Sequence, residues 1–271
     1  MSYDPTVALQ FFSSAGKPTD VKKDSVIFEE KDTGRALFRS RNSKIYFVLN
    51  GEVHLLAGKK KFGSVKKGGI FGELAALTDA PRSATALANT DCTLIALDDK
   101  ELEAALAKNP GFALMLMSML ITRLRETIAH LTAAGKLTHE AEVKESAAFD
   151  PDRLTDLVRG LANDPPIYYQ QGRQILSEGS KAALMYAVVS GRVVISIGGK
   201  VVERLGPGGA FGEAALVDQS PRLATAMAET DCELQPITRP AFLTLVKASP
   251  EFANRMLASI AERLRFLTSR L

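Results

Sequence analysis

Residues 71–85 read FGELAALTDAPRSAT, and residues 211–225 read FGEAALVDQSPRLAT. Both stretches keep Phe-Gly-Glu, and in both a Pro-Arg pair places its arginine nine residues after the glutamate, followed by one variable residue and Ala-Thr. The offset of 140 residues holds without a gap from positions 71 and 211 to positions 131 and 271, where 21 of 61 positions are identical. Solenoid repeats have periods of roughly 20–50 residues. This much longer period therefore indicates two copies of one whole domain.

The repeated residues suit the recognition of a sugar phosphate. The glycine lets the backbone approach a ligand closely because no Cβ stands in the way. The residues after it predict one helical turn whose N-terminal amides can point at a phosphate. The arginine offers a planar fork of donors to phosphate oxygens, and the glutamate offers acceptors to the vicinal hydroxyls of a ribose. These residues are Gly72, Glu73 and Arg82 in the first copy and Gly212, Glu213 and Arg222 in the second.

The pattern FGE-x-A followed by PR-x-AT resembles the phosphate-binding cassette of the cyclic nucleotide-binding domain family. That family includes the catabolite activator protein and the regulatory subunits of cyclic AMP-dependent protein kinase, and the tandem arrangement is more like the latter. The resemblance implies that both glutamates bind the ribose 2′-hydroxyl and that both arginines bind the exocyclic phosphate. Backbone amides near the phosphate would come from Gly72, Gly212, Ala84 and Ala224. The alternative is that glutamate and arginine only pair with each other inside a retained fold.

The residue after each arginine bears on the base that is bound. In the family, Ser or Thr at this position tends to accompany cyclic GMP (cGMP) recognition but also occurs in cyclic AMP (cAMP) binders, so Ser83 leaves the first site open. Leu223 has no hydroxyl and favours cAMP in the second site. We therefore expect cAMP as the ligand, with cGMP as the alternative, and no cofactor.

In this family the long helix that follows the domain often caps the base. Hydroxyl candidates for that role are Thr127 in the first copy and Thr268 or Ser269 in the second, unless they are only exposed polar residues. The expected ligand-binding residues are Phe71, Gly72, Glu73, Leu74, Arg82, Ser83, Ala84 and Thr127 in site 1, and Phe211, Gly212, Glu213, Ala214, Arg222, Leu223, Ala224, Thr268 and Ser269 in site 2.

Upstream of each cassette the sequence predicts short strands separated by turns. Residues 46–53 and 186–193 are β-rich runs broken by Asn-Gly or Ser-Gly, which predicts a strand–turn–strand hairpin. A second hairpin follows in each copy, with glycine and lysine at its tip, at 58–61 and 198–200. Many short strands with Gly-rich turns indicate a small barrel or jelly roll. The predicted fold is mainly β with flanking helices (α+β): two tandem jelly-roll-like β-rolls, each followed by a long helix.

The flanking helices are predicted from start and stop signals. Asp and Pro precede periodic apolar residues, and Asn-Pro or Ser-Pro ends the helix that follows each roll. The predicted ranges are 4–12, 98–108, 152–162 and 239–248, with a long helix from about Gly111 or Glu251 onward.

The long helices carry apolar residues at alternating spacings of three and four, which is typical of a coiled-coil seam. Three interpretations stay open: the seams pair with each other as an internal pseudo-dimer, each pairs with a second chain, or each helix packs on its own roll. The seam residues are Met117, Leu120, Leu124, Thr127 and Leu131 in the first copy and Leu257, Ile260, Leu264, Leu267 and Leu271 in the second.

Length and composition bound the class of protein. The 271 residues allow two domains, predicted at 1–135 and 151–271 with a linker at 136–150. No apolar run approaches the roughly 18 residues of a membrane span, and the N-terminus MSYDPTVALQ lacks a secretory leader pattern. Cys92 and Cys232 occupy equivalent positions and are predicted to be core thiols. We therefore expect a cytoplasmic protein without membrane association.

Catalysis and DNA binding find little support in the sequence. The three histidines are scattered without a metal-ligand array, and neither G-x-S-x-G nor G-x-x-x-x-G-K occurs. The net charge of +3 gives weak steering toward DNA, and no recognition helix is predicted after the second long helix. An Arg-Arg-x-Ser/Ala inhibitor segment is also missing from the sequence, which disfavours a kinase regulatory subunit.

We therefore expect a non-catalytic cytoplasmic receptor for cyclic nucleotides. Binding would rearrange the long helices and so act on a protein partner or on self-association, without direct DNA binding. The alternative is an interaction module that has the same fold and one or both pockets empty.

The first copy also departs from a plain duplication. Seventeen residues separate Phe28 from Tyr46, whereas nine separate Leu176 from Tyr186, and the extra segment falls at 31–44. It is either a docking surface for an acidic partner or a solvated loop. Its basic residues include Arg35, Arg39, Arg41 and Lys44.

Overall fold

The computed structural model of the protein describes residues 3–33, 43–78, 80–137, 145–161, 164–181 and 184–270. Within these ranges the chain contains two tandem copies of one arrangement of strands and helices. Most of the basic insertion, including Arg35, Arg39 and Arg41, lies outside the described residues, as do Leu271 and the middle of the predicted linker.

The first copy is a β-roll made of two four-stranded antiparallel sheets. Its strands are β1 (Pro18–Val21), β2 (Val26–Phe28), β3 (Ile45–Asn50), β4 (Glu52–Ala57), β5 (Lys60–Lys66), β6 (Ile70–Phe71), β7 (Thr85–Ala88) and β8 (Cys92–Leu97). One sheet has the order β1-β8-β3-β6 and the other β2-β7-β4-β5. Val48 and Leu94 from the first sheet share one hydrophobic core with Val53 and Ala86 from the second. The core of the roll therefore lies between the two sheets.

The second copy repeats this architecture. Its strands are β9 (Glu145–Ser146), β10 (Ile167–Tyr169), β11 (Gln174–Leu176), β12 (Leu184–Ser190), β13 (Val193–Ile197), β14 (Lys200–Leu205), β15 (Ala210–Phe211), β16 (Thr225–Ala228) and β17 (Cys232–Thr238). The sheets have the orders β10-β17-β12-β15 and β11-β16-β13-β14-β9. Strand β9 comes from the predicted linker and pairs with β14 in parallel, while the other pairs are antiparallel. The predicted fold class, two tandem jelly-roll-like β-rolls with flanking helices, is confirmed.

The chain changes sheet at Gly51, where the sequence predicts a hairpin. Strand β3 pairs with β6 and β8, whereas β4 pairs with β5 and β7. The hairpin prediction is therefore wrong here and at its counterpart, residues 186–193. Gly51 has a φ of +94°, and a Cβ on it would lie 2.6 Å from the carbonyl oxygen of Asp91. The turn thus packs against the link between β7 and β8, which also changes sheet. The second predicted hairpins, β4–β5 and β13–β14, are confirmed.

Eight helices flank the strands in the described part of the chain. They are α1 (Pro5–Ala15), α2 (Glu73–Leu77), α3 (Asp99–Lys108), α4 (Pro110–Ala133), α5 (Pro151–Gly160), α6 (Ala214–Asp218), α7 (Arg239–Ala248) and α8 (Pro250–Thr268). The aspartates Asp4, Asp98 and Asp150 cap α1, α3 and α5, because each accepts a hydrogen bond from a backbone amide of the first turn. The predicted helix start signals are therefore confirmed.

The chain divides into two compact units, and both long helices, α4 and α8, contribute to each of them. The first-roll unit comprises Tyr3–Leu116 with Ala261–Ser269, and the second-roll unit is built around Met117–Ile260. The predicted domains 1–135 and 151–271 keep each long helix with its own copy, whereas these units divide both helices. The described seam residues are buried, apart from half-buried Thr127.

Three further features bear on the class of protein. Cys92 and Cys232 are buried free thiols, as predicted for core residues. Within the described ranges, no group of three or more His, Cys, Asp or Glu side chains is arranged to hold a metal ion. In the same ranges no single helix is long and apolar enough to cross a membrane, although α3 and α4, bent by 117°, together meet the criteria of length and composition.

Candidate functional site

The cassette of the first copy begins at a glycine that no other residue could easily replace. Gly72 has a φ of +77° and lies directly before α2. A Cβ at this position would stand 2.9 Å from both Arg82 Nη1 and the carbonyl oxygen of Lys44. The missing side chain therefore makes room for the arginine.

Arg82 is fixed inside the cassette by its own guanidinium. Nη1 donates to the carbonyl of Gly72 and Nη2 to the carbonyl of Lys44, both at 2.8 Å. The guanidinium carbon lies 4.1 Å from the centre of the Phe28 ring, which is a cation–π contact. Only 6% of the residue is exposed. The arginine is thus a buried cation held in one orientation.

The electrostatic surroundings of Arg82 partly compensate its burial. Burial lowers the pKa of its guanidinium from the ordinary value, while the neighbouring Tyr46, Asp32 and Glu73 raise it. Glu73, the first residue of α2, is itself only 4% exposed. Gly72, Glu73 and Arg82, which the sequence analysis assigns to one site, therefore lie together in the structure.

The second cassette repeats the arrangement. Gly212 has a φ of +88°, and a Cβ on it would lie 2.6 Å from Arg222 Nη1. Arg222 donates from Nη1 to the carbonyl of Gly212 at 2.7 Å and from Nη2 to the carbonyl of Leu184. Arg222 is 6% exposed and Glu213 is 3% exposed. Burial lowers the pKa of Arg222, while Tyr186 and Glu213 raise it.

The two cassettes differ in the side chain that lies beside the arginine. Among the described residues, the buried Nε of Arg222 has no hydrogen-bond partner. The position of Phe28 in the first copy is taken by Leu176 in the second, since the two residues pair with Ala86 and Ala226 at equivalent places in their sheets. A leucine offers no ring face to a guanidinium, so the cation–π contact between Phe28 and Arg82 has no counterpart at this position.

The wall beside each cassette is also built differently. The Arg222 carbonyl accepts from the amide of Gly179, which has a φ of +75°. In the first copy Lys31 takes that role, with a φ of +68° and its amide 2.9 Å from the Arg82 carbonyl. The loop therefore keeps its shape although its glycine is replaced by lysine.

The remaining predicted site residues fall into three groups by exposure. Phe71, Leu74, Ala84, Phe211 and Ala214 are buried, Ser83, Leu223, Ala224, Thr127 and Thr268 are half-buried, and Ser269 is exposed. The base-capping candidates are grouped differently from the prediction. Thr127 belongs to the second-roll unit, and Thr268 and Ser269 belong to the first-roll unit.

Two arginines on the long helices also reach the cassettes, and the sequence reasoning missed them. Arg125 pairs with Asp218 at the end of α6, with Nε 2.6 Å from Oδ2. Arg265 donates to the carbonyl of Pro81. A signal was available, because Arg-Leu-Arg stands at 123–125 and again at 263–265, at the same offset of 140.

Comparison with known proteins agrees with this geometry. The sequence profile of the cyclic nucleotide-binding domain matches residues 18–109 and 166–249, which cover the two rolls. The chain belongs to the cyclic nucleotide-binding domain family, and the resemblance seen in the cassettes is confirmed.

Individual relatives are regulatory proteins and kinases. The cAMP-dependent protein kinase regulatory subunit of Eremothecium gossypii is 29% identical over 80% of this chain and 44% of its own length. The cGMP-dependent protein kinase of Toxoplasma gondii is 26% identical over 82% of this chain and 19% of its own. A solved regulatory domain of Toxoplasma gondii PKA with cAMP is 23% identical over 89% of this chain and 86% of that one, with a TM-score of 0.31. The chain thus spans less than half the length of the two curated relatives.

Proposed function

We propose that the protein is a non-catalytic, cytoplasmic receptor that binds one cyclic nucleotide in each roll, with cAMP preferred and cGMP as the alternative. The observation that carries the proposal is the buried arginine of each cassette. Arg82 and Arg222 are both 6% exposed and sit beside glutamates that are 4% and 3% exposed. Burying such charges is costly unless they are compensated. Two copies that share only part of their sequence have both kept this costly arrangement.

A ribose phosphate accounts for each member of the set. A guanidinium has five N–H donors, and Arg222 uses Nη1 and Nη2 for two carbonyls while Nε has no partner among the described residues. An incoming phosphate would accept from such donors, and the left-handed glycine before the helix would let it approach the backbone. The glutamate beside the arginine would accept from a ribose hydroxyl.

The base would be contacted from two directions. Ser83 offers a hydroxyl beside the first arginine, whereas Leu223 does not beside the second. The grouping of the long helices leads us to revise the capping assignment. Thr127 would cap the base in the second site, and Thr268 or Ser269 would cap it in the first, because each shares a compact unit with that roll.

The rest of the proposal concerns partner and location. Several relatives are named as kinase regulatory subunits, which supports a regulatory role without catalysis and a protein partner that responds to the long helices. The two buried free thiols are compatible with the cytoplasm, where cysteines stay reduced. Neither membrane association nor direct DNA binding is part of the proposed function.

The test is calorimetric titration of the chain with cAMP and then with cGMP, after denaturation and refolding to remove any carried ligand. We expect two binding events. Arg82→Ala should remove the first and Arg222→Ala the second, because loss of a buried charge partner costs roughly 2–5 kcal/mol, or about 30-fold and more in affinity. Arg159→Ala is the control, since its side chain is 75% exposed and pairs at the surface.

Either of two outcomes would contradict the proposal. Absence of heat and of thermal stabilisation with both nucleotides would favour the interaction module with empty pockets. Unchanged binding in both arginine variants would show that the arginines do not hold the phosphate.

A further inference from the structure

We propose that Arg125 and Arg265 are reciprocal latches: the long helix of each copy holds the cassette of the other copy, so that a ligand in one site changes the affinity of the other site. This inference rests on the proposed function, because it concerns the same two sites. It is carried by contacts within each compact unit and by the continuity of α4 and α8.

Helix α4 is anchored at its start to elements of the first copy. The ring of Phe112 stacks on Phe11 of α1, with centroids 3.5 Å apart and planes at 10°. The sulfur of Met115 accepts from the amide of Asp4, the residue that caps α1, at 3.4 Å. The first turns of α4 therefore move together with the helix that packs on the first roll.

The later turns of α4 hold the cassette of the second copy. Arg125 makes a fork on Asp218, with Nε 2.6 Å from Oδ2 and Nη2 3.2 Å from Oδ1. The same Oδ1 accepts from the amide of Ser220 at 2.9 Å. The two side chains are only 25% and 13% exposed, so solvent screens this pair less than a surface pair. Arg125 thus fixes the turn that leads into Arg222.

Helix α8 mirrors this arrangement. At its start, Arg255 Nη2 lies 2.7 Å from Oδ2 of Asp150, which caps α5 in the second copy. Phe252 stacks on Phe149 with centroids 5.7 Å apart. Further along, Arg265 donates to the carbonyl of Pro81, the residue directly before Arg82. Burial lowers the pKa of Arg265 from its ordinary value.

The two latches are equivalent by position and differ in chemistry. Arg125 and Arg265 are related by the offset of 140. The residues that they contact, Asp218 and Pro81, precede the cassette arginines by four residues and one residue. The residue equivalent to Asp218 in the first copy is Thr78, whose hydroxyl donates to Leu74 within α2. The latch on the second cassette is therefore an ion pair, and the latch on the first is a hydrogen bond to backbone.

Coupling follows from linkage. If a phosphate reorients Arg222 and the turn before it, the Arg125–Asp218 pair must adjust, and α4 transmits the change to its own anchored start. By thermodynamic necessity the effect is reciprocal: each ligand changes the affinity of the other by the same factor. Coupling between sites is typically between about 5-fold and 150-fold.

The experiment measures the dissociation constant of cAMP at site 2 with site 1 occupied and with site 1 disabled by Arg82→Ala. The ratio of the two constants is the coupling factor, which we expect to be about 5 or more in the otherwise unaltered chain. Arg125→Ala should bring the factor close to 1. The double exchange Arg125→Asp with Asp218→Arg should restore only part of it, because an arginine at position 218 cannot accept from the Ser220 amide. Arg159→Ala, an exposed arginine outside both latches, should leave it unchanged.

The reciprocal measurement reads site 1 with and without Arg222→Ala, and by linkage it should give the same factor. Arg265→Ala should lower this factor as well. Arg125→Lys keeps the charge and loses the fork, so it should reduce coupling in a chain that unfolds at the normal temperature. Two independent sites in the unaltered chain, or a factor unchanged by Arg125→Ala, would overturn this inference while leaving the proposed function intact. Absence of binding with both cAMP and cGMP would overturn the proposed function and the inference together.

Discussion

Replacing Gly212 by alanine is a sharp test of how the cassette works. Gly212 has a φ of +88°, a left-handed conformation that costs an alanine roughly 1–2 kcal/mol. The added Cβ would lie 2.6 Å from Arg222 Nη1, whereas ordinary contact begins at 3.4 Å. The difference, 3.4 minus 2.6, means that the guanidinium must retreat by about 0.8 Å.

This displacement acts on binding more than on folding. Nη1 is the end of a flexible side chain, so it can retreat without a shift of the backbone. Its 2.7 Å hydrogen bond to the Gly212 carbonyl would then be lost, and the donors would no longer face the phosphate position. We expect site 2 to lose about 30-fold or more in affinity, approaching the effect of removing the arginine. Stability should fall by the roughly 1–2 kcal/mol of backbone strain and by about 1–3 kcal/mol for the hydrogen bond that the buried guanidinium loses.

Gly199→Ala is the matched control. Gly199 has a φ of +76° in the β13–β14 turn of the same copy, and a Cβ on it would meet nothing within 4 Å. Both variants should lose the stability that backbone strain costs in denaturant unfolding, Gly212→Ala should lose more because it also disturbs Arg222, and only Gly212→Ala should lose affinity. Titration in an Arg82→Ala chain reads site 2 alone. Wild-type affinity in Gly212→Ala, or an equal loss in Gly199→Ala, would refute the reasoning.

Three further changes probe the base, the arginine and the fold. Ser83→Leu should lower the affinity of site 1 for cGMP relative to cAMP. Competition binding in a chain whose second site is disabled measures this ratio. An equal loss of affinity for both nucleotides would contradict the role of the hydroxyl. Phe28→Leu removes the ring 4.1 Å from the guanidinium carbon of Arg82, a contact worth roughly 0.5–2 kcal/mol, so site 1 should weaken roughly 2- to 30-fold while site 2 stays the same. A hydrogen bond from the Arg153 amide, the main cause, and nearby arginines hold the pKa of Asp150 below its ordinary value. Asp150 therefore contributes stability that is present above about pH 4 and lost as the pH falls through its folded pKa. In Asp150→Asn the free energy of unfolding should change less with pH on the acid side. The same acid-side pH dependence in the variant would contradict this contribution of Asp150.

The fold and the proximity of glycine, glutamate and arginine in each cassette could be predicted because their signals are local. Gly72, Glu73 and Arg82 lie within eleven residues. The short chain between them allows few arrangements of the glycine, the helix and the arginine. The repeat then doubles the signal, since an accidental pattern would not recur at a constant offset. The short strands, Gly-rich turns and helix caps also depend on residues that are close in sequence, and the structure confirms them.

The parts that escaped prediction depend on long-range pairing. Asn50-Gly51 carries the local signal of a hairpin, yet β3 and β4 join different sheets, which no turn residue can specify. Lys31 adopts a left-handed φ of +68° because the Arg82 carbonyl holds its amide, and a lysine gives no sequence signal of that conformation. The seam spacing of α4 likewise indicates an apolar face without naming its partner.

The residues that differ between the two copies indicate that the two sites have different roles. Both keep the glycine, glutamate and arginine, which would contact the ribose phosphate common to every cyclic nucleotide. They differ at the positions that hold the arginine, such as Phe28 and Leu176. Arg82 is fixed by a ring before any ligand arrives, so less freedom is lost on binding, and preorganisation of this kind raises affinity. The first site should therefore fill first. Helix α4, anchored beside the first roll and ending in the second-roll unit at the Asp218 latch, would then carry that event to Arg222, which has leucine in place of that ring.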